Sequence, residues 1–433
     1  MEKCFVLIEN NSPMTSLSLA EYITIFDYQC VLVLDERFDI PDKSYPFVIK
    51  RISNFNEKKL KNIACEIKEK YRIVGITSAF GFFYEGGLLP ATVSDIAKDL
   101  GLKHTPSSAL IQSSNKFLMR SCLKKNNVYT TRFSLADSLD SLISSCKHVK
   151  FPVLLKPVVG LGSSFIYKCN NLLEAKTAFE HYLNNVENGY YSDLFKAHSF
   201  QGVNFNPKKQ LLVEEFLDGP ELSVELLCTD SEIIPLLVHD KLDVEEGAYC
   251  SFENLLITPP VRLNEELVKE TEQYAIDIAK VLGLKNCFCH VELRIHNGKP
   301  AVMEINHRIG GMRVEDTLKS RLGIEHNDIL IKLLSGQSIA PLEKKDECRD
   351  YLGMCAVYTR KSGTLKNVKG LKDAKNIKGI KNISQHVPTG YKVGGDFEET
   401  FVVTAWFKAD SEEKIREIDQ RIKELITFEV ESA

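Results

Sequence analysis

The sequence lacks several common features, and each absence removes a class of function. No apolar run approaches the roughly 18 residues of a membrane-spanning helix, so no membrane partner is expected. Basic charge is not in excess: 55 Lys+Arg against 59 Asp+Glu leave a formal net charge of −4. That balance argues against a nucleic-acid partner held by phosphate neutralisation. Lys58-Lys59 and Lys124-Lys125 read as solvated faces. Twelve cysteines are scattered without a C-x-x-C framework, and Cys287-x-Cys289 lies in a strand-like segment. Reduced thiols are the expectation, and metal-ligand spacing disfavours a structural zinc site. No G-x-G-x-x-G follows the first strand, which speaks against a dinucleotide site there. There is no internal repeat of useful length. The N-terminus, M-E-K-C-F-V-L-I-E-N-N, has a short apolar run and an early acid. It reads as a first β-strand and not as a signal peptide, so a cytoplasmic protein is expected.

What is present is a globular composition, 44% hydrophobic and 26% charged, in 433 residues, enough for two to three domains. C-F-V-L-I (4–8), C-V-L-V-L (30–34) and R-I-V-G-I-T (72–77) look like buried parallel strands, and 89–102 like a helix closed by Gly101. This is a βαβ pattern, hence an N-terminal α/β domain over 1–110. A capped helix is expected at 113–127, with strands at 151–157 and 211–217 beyond it. An Asn/Gly/Lys-rich excursion runs from 186 to 210. The segment E-K-K-D-E-C-R-D (343–350) reads as a charged linker into a small α+β lobe over 341–433. That lobe should carry a strand at 401–407 and an amphipathic helix at 411–426.

The stretch A-V-M-E-I-N-H-R-I-G-G (301–311) puts Glu304, Asn306 and Arg308 on alternate positions of an apolar run. Upstream, H-V-E-L-R-I (290–295) alternates in the same way, and H-N-G-K-P between them has the composition of a hairpin loop. With an odd-length loop, His296 to Pro300, Glu292 sits opposite Glu304 and Pro300 falls in the loop, where its missing N–H costs nothing. His290, Glu292 and Arg294 then share a face with Glu304, Asn306 and Arg308; Val291, Leu293, Met303 and Ile305 share the other. A two-residue Asn-Gly turn would instead put the two acids on opposite faces. Carboxylates directly across a strand pair repel unless a cation lies between them. Mg²⁺ would fit, being a hard ion that takes oxygen ligands, with Asn306 adding a carbonyl oxygen. The plain alternative is a polar sheet face balanced by arginines.

K-P-V-V-G-L-G-S-S (156–164) adds a lysine at a strand end followed by a Gly/Ser-rich loop, which lets backbone N–H groups approach phosphate oxygens. No G-K-[ST] closes it, so it is not a Walker A loop. Lys116 is a candidate second phosphate ligand. In V-E-E-F-L-D-G-P-E (213–221) an apolar strand runs into acids and a turn, which could hold adenine and ribose or could simply expose its acids.

The order Lys116, K-P-V-V-G-L-G-S-S, E-E-F-L-D-G-P-E, Glu292 and E-I-N-H-R-I-G-G resembles the ATP-grasp superfamily over residues 1–340. Within it the chain looks most like amino-acid and dipeptide ligases of the bacilysin-synthetase type. The resemblance implies an ATP-grasp fold, α/β and α+β. A Rossmann-like N-terminal domain would precede a two-lobed ATP-binding region over 111–340, its small lobe at 125–220 and its catalytic lobe from 221, with a small C-terminal α+β lobe after it. It also implies ATP held by Lys116, Lys156, Glu214, Glu215, Phe216, Leu217 and Glu221, with the loop carrying Gly160, Gly162, Ser163 and Ser164 closing over the triphosphate. Glu292, Glu304 and Asn306 would bind two Mg²⁺ ions, with Mn²⁺ as an alternative. Arg308 would stabilise an acyl phosphate, and Lys241 would be a further catalytic, phosphate-facing lysine. Glu253, Leu256, Arg308, Gly310 and Gly311 would line the substrate side. The implied reaction joins the carboxylate of an amino acid or small acid to an amine through an acyl phosphate; separately, a homodimer is the usual expectation for a soluble homo-oligomer.

The chain departs from that pattern in three places. Phe165-Ile166 stand where a small residue and valine usually follow the loop serines. Leu256 replaces the histidine of an E-x-x-H-x-x-P pattern that otherwise keeps Glu253 and Pro259, which implies a more apolar pocket or an unusual substrate. His307 stands where proline or a small residue is commoner. Two other readings stay open: another acceptor, as in carboxylase-like or kinase-like members, and a nucleotide-binding regulator without catalysis. No M-K-M biotin-attachment motif is present, which weakens the carboxylase version.

Overall fold

The computed structural model describes the chain except residues 12, 161, 188–194, 248, 341, 343–349 and 433. Its first unit is a parallel sheet in the order Val48–Ile52, Gln29–Asp35, Lys3–Glu9, Arg72–Thr77. The inner strands Gln29–Asp35 and Lys3–Glu9 are near-continuous apolar runs because helices cover both faces. Val6, Ile8, Val31 and Val33 pack on Glu57–Lys70 and Leu89–Asp99. Phe5, Leu7, Leu32 and Leu34 face Pro13–Thr24 and the later helix His326–Ser335, which anchors this domain to the rest of the chain. Gly101 takes φ +70 just past the third helix, the left-handed stop its sequence position suggested.

The segment expected as one helix over 113–127 is two, Ser107–Ser114 and Lys116–Lys125. The break falls at Asn115, in extended conformation, whose side chain accepts from Leu118 N–H and caps the second helix. The small lobe follows: an antiparallel sheet in the order Phe133–Ala136, Leu211–Glu215, Val153–Pro157, Tyr167–Cys169, backed by helices Leu139–Val149 and Leu172–Asn185. The described part of the 186–210 excursion contains a short hairpin, His198–Phe200 with Val203–Phe205.

The larger sheet has eight strands. Its order is Lys299–Asn306, Cys287–His296, Glu221–Cys228, Ile233–Glu246, Ser251–Thr258, Tyr351–Val357, Val403–Ala409, Ile380–Gln385. Its last three strands come from the C-terminal segment, so that segment extends the central sheet edge to edge instead of standing apart from it. Helix Glu412–Leu425 packs Ile415, Ile418 and Ile422 beneath it. Most of the charged linker, 343–349, lies outside the described residues. No helix among the described residues is long and apolar enough to cross a membrane.

Candidate functional site

The hairpin Cys287–Lys299–Asn306 contains both of the registers that the sequence left open. Its turn is the two-residue Asn297-Gly298, both at positive φ (51 and 78), with His296 paired to Lys299. The odd-length loop is therefore not formed, and Pro300 lies in a strand, opposite Ile295. It is tolerated because Lys299–Asn306 is the edge of the sheet. An unbroken ladder from that turn would put Glu304 on the core face. A bulge prevents this: Leu293 pairs with Val302 and Glu292 with Glu304, which leaves Met303 as the extra residue. The two carboxylates thus do face each other. Met303 does not join Val291, Leu293 and Ile305 in the core, as expected, but lines the cleft.

Arg120 holds the bulge. Its guanidinium is fully buried and donates to the carbonyls of Val302 (2.6 Å) and Met303 (3.3 Å). It also pairs with Glu214 at 3.0 Å. On the other side of that carboxylate lies Lys156. Against the penalty of full burial, Arg120 and Lys156 keep the Glu214 carboxyl below its usual range. Lys116 begins its helix with its N–H donated to Val158 O (2.8 Å), which ties the helix to the strand end before the Gly/Ser loop. Its ammonium reaches Glu304 at 2.8 Å. Glu304 is held below its usual range by Lys116, against burial and the like charge of Glu292.

Glu292 has its own cations. Lys241 stands 3.3 Å away and His290 Nε2 3.2 Å away. The other ring nitrogen of His290 meets Glu225 at 2.5 Å, and Gly310 N–H donates to the second Glu225 oxygen at 3.1 Å. Burial opposes the charge on His290, but Glu225 and Glu292 hold its pKa up to about 10. A Cβ on Gly310 would stand 2.7 Å from the His290 ring, so this backbone approach needs glycine. Lys241 was expected to face phosphates. It is instead enclosed by Glu221 (2.9 Å), Glu253 (2.6 Å) and Glu292, and it does not line the cleft. Burial opposes its charge, yet those three carboxylates hold it protonated well above the usual lysine range. Burial and the neighbouring acids push Glu253 up to about 7 even beside Lys241.

A cleft of about 370 Å³ opens between the small lobe and the eight-stranded sheet. Lys116, Lys156, Gly160, Gly162, Ser163 and Ser164 line its roof side. Glu214, Glu215, Phe216, Leu217 and Glu221 lie along the connection from strand Leu211–Glu215 to strand Glu221–Cys228, which joins the lobes. Glu253, Leu256, Glu292, Glu304, Asn306, Arg308 and Gly311 complete it. Gly310 stands behind this wall and opens on a second cavity of about 480 Å³, between the N-terminal domain and the sheet. Arg308 lines both of these cavities and a smaller third one of about 150 Å³.

Several participants were missed in the sequence. Arg120 is four residues from Lys116, hence on the same helical face, and Glu225 shares a strand face with Glu221 by period two; both signals were available. Glu399 carried none. It arrives from the C-terminal segment, donates its N–H to Gly162 O (3.1 Å) and accepts from Glu253 N–H (2.8 Å) and the Tyr358 hydroxyl (2.9 Å). Phe165, the first departure, takes φ +59 and packs edge-on against Tyr182 at 5.3 Å, pinning the exit of the loop. Leu256 sits among Met312, Leu318, Met354 and Trp406. An imidazole there would have to enter an apolar cluster.

The ATP-grasp domain family matches residues 149–316. Dapdiamide A synthase of Enterobacter agglomerans is 25% identical over 236 residues, 54% of this chain and 50% of that protein. Alanine–anticapsin ligase of Bacillus subtilis (strain 168) is 25% identical over 281 residues, 61% of this chain and 56% of that one. The chain thus spans about half the length of these relatives. The crystal structure of an L-amino acid ligase from Bacillus licheniformis superposes with a TM-score of 0.77 at 19% identity, covering 100% of this chain and 99% of that one. Residues 149–316 match the ATP-grasp domain family, and the chain has the ATP-grasp fold.

Proposed function

We propose that the protein is an ATP-dependent carbon–nitrogen ligase that joins the carboxylate of an amino acid or other small acid to an amine. The observation that carries this reading is the position of Arg308, whose side is shared by the carboxylate-lined cleft and the separate interdomain cavity. An acid in that cavity would present its carboxylate at the same guanidinium that faces a terminal phosphate in the cleft. When bound, Mg-ATP would supply the phosphoryl group that turns the carboxylate into an acyl phosphate with release of ADP, and the amine would then attack the acyl carbon and displace inorganic phosphate.

The donor set fits the ion. Glu292, Glu304 and Asn306 offer only oxygen, the preference of Mg²⁺, from one face of a bulged strand pair. We assign them to magnesium, two ions in number. Lys116 stands beside Glu304 and would move to phosphate as a cation takes its place. Lys156 and the loop Gly160–Ser164 would hold the triphosphate, and Glu214, Glu215, Phe216, Leu217 and Glu221 the nucleoside end. Lys241 is a positioning residue, fixing Glu221, Glu253 and Glu292. Phosphoryl transfer is mainly positioning and charge neutralisation, which these groups supply. The contact of Glu399 with Gly162 lets the C-terminal segment help shut the loop over the site and exclude water.

The interdomain cavity, walled by Leu19, Ile76, Phe80 and Val93, favours an apolar side chain on the acid. The test is ADP release with Mg-ATP against amino acids singly and in pairs, with product masses. Release requiring two substrates, and a product one water lighter than their sum, supports the ligase. ADP release with an acid alone and no coupled product points to another acceptor.

A further inference from the structure

The eight-stranded sheet carries a second cluster on its opposite face, remote in chemistry from the carboxylates. Cys228 ends its strand paired in register with Cys287, and Cys289 follows two residues along on the same face. The Cys289 sulfur lies 3.6 Å from that of Cys228 and 3.8 Å from that of Cys287, and all three fall within 4.8 Å of one another. A tetrahedral zinc ion with Zn–S bonds of about 2.3 Å sets its sulfurs about 3.8 Å apart. Among the described residues no other three thiols converge like this.

Packed thiols alone can approach as closely, so a second feature decides. His307 has a buried Nδ1 with no hydrogen-bond partner. It directly follows the strand Lys299–Asn306, whose pairing of Val291 with Ile305 and His290 with Asn306 runs on towards Cys289 as the neighbour of His307. His307 and Cys287 also line the same interdomain cavity, which gives an ion a route in. We infer that Cys228, Cys287, Cys289 and His307 form a binding site for a thiophilic divalent cation, zinc in the first instance. Three thiolates and one imidazole are a structural zinc set. The site accounts for a histidine that the ligase reading does not use. An ion there would tie two central strands to the backbone between Asn306 and Arg308.

The experiment uses the full chain, purified without chelator from zinc-supplemented culture, with metal analysis and then exchange for Co²⁺. The expected result is one zinc per chain and, with cobalt, thiolate charge-transfer and tetrahedral d–d bands. Cys289→Ser should lose both, and His307→Ala should weaken cobalt binding by roughly 10-fold or more, using the scale for weakened metal sites. Glu304→Gln should keep the cobalt bands, which separates this site from the carboxylate pair. If Cys289→Ser does not fold, chelator-stripped wild-type protein titrated with Co²⁺ gives the same reading. Reduced wild-type protein without cobalt–thiolate bands at stoichiometric metal overturns the site. So does a disulfide among these cysteines, or a Cys289→Ser variant with undiminished bands.

Discussion

Replacing Arg120 with lysine tests whether one buried guanidinium holds the bulge on which Glu304 depends. Arginine here serves four acceptors at once: Glu214 at 3.0 Å, the Thr130 hydroxyl at 3.3 Å, Val302 O at 2.6 Å and Met303 O at 3.3 Å. A lysine ammonium keeps the charge that Glu214 requires but cannot span carboxylate and both carbonyls. At least one bulge carbonyl is then left buried without a donor, at about 1–3 kcal/mol each. A loss of about 2–4 kcal/mol follows, and Arg120→Ala, which also leaves a buried carboxylate short of a cation, should lose about 3–5 kcal/mol or fail to fold. If the bulge relaxes, Glu304 shifts relative to Glu292, and a displacement of about 1 Å at a reacting centre can cost on the order of 100-fold in rate. Thermal unfolding together with ADP-release kinetics measures both. An Arg120→Lys variant that unfolds with wild-type protein and turns over at the wild-type rate would refute the anchoring role.

On the proposed magnesium assignment, Glu304→Gln removes a metal carboxylate and should lower kcat by 100-fold or more, about 3 kcal/mol of charge stabilisation. Its melting temperature should stay near wild type, since the lost Lys116 pair is offset by relief of repulsion from Glu292; full activity would end the metal assignment. Leu256→His forces an imidazole into the apolar cluster of Met312, Leu318, Met354 and Trp406 and should lower the melting temperature; an unchanged melting temperature would count against that packing. Gly310→Ala drives a methyl to 2.7 Å from the His290 ring and should destabilise by about 1–3 kcal/mol, read by denaturant midpoint. Glu9, buried beside Ser78 and the Ala79 and Phe80 N–H groups, has its pKa pushed up to about 8, chiefly by burial. Its folded value lies above the unfolded 4.5, so its contribution is complete below pH 4.5 and is lost as pH rises through about 8. Glu9→Gln should therefore flatten the fall in melting temperature across that window; parallel curves for the two proteins would show Glu9 is not its source.

Local pattern was enough for a good part of this chain. Apolar runs with βαβ spacing made the N-terminal parallel sheet legible, because strands covered on both faces must be apolar throughout. Period-two alternation identified Glu292, Glu304, Asn306 and Arg308 as one polar face, and glycines with serines after Lys156 marked the loop. Other features were decided by contacts that no local pattern encodes. The turn chemistry of Asn297-Gly298 and the facing of the two acids are incompatible in a regular ladder, and a bulge held by Arg120 from another element reconciles them. The enclosure of Lys241 by three acids depends on three different strands lying side by side. Glu399 reaches Gly162 only because C-terminal strands extend the same sheet. Cys228 joins Cys287 and Cys289 only through strand pairing. Sequence alone determined which residues alternate and where glycine- and serine-rich loops interrupt them, since those are properties of neighbours along the chain; tertiary structure decided which charges meet, since a buried charge is set by whatever packs against it.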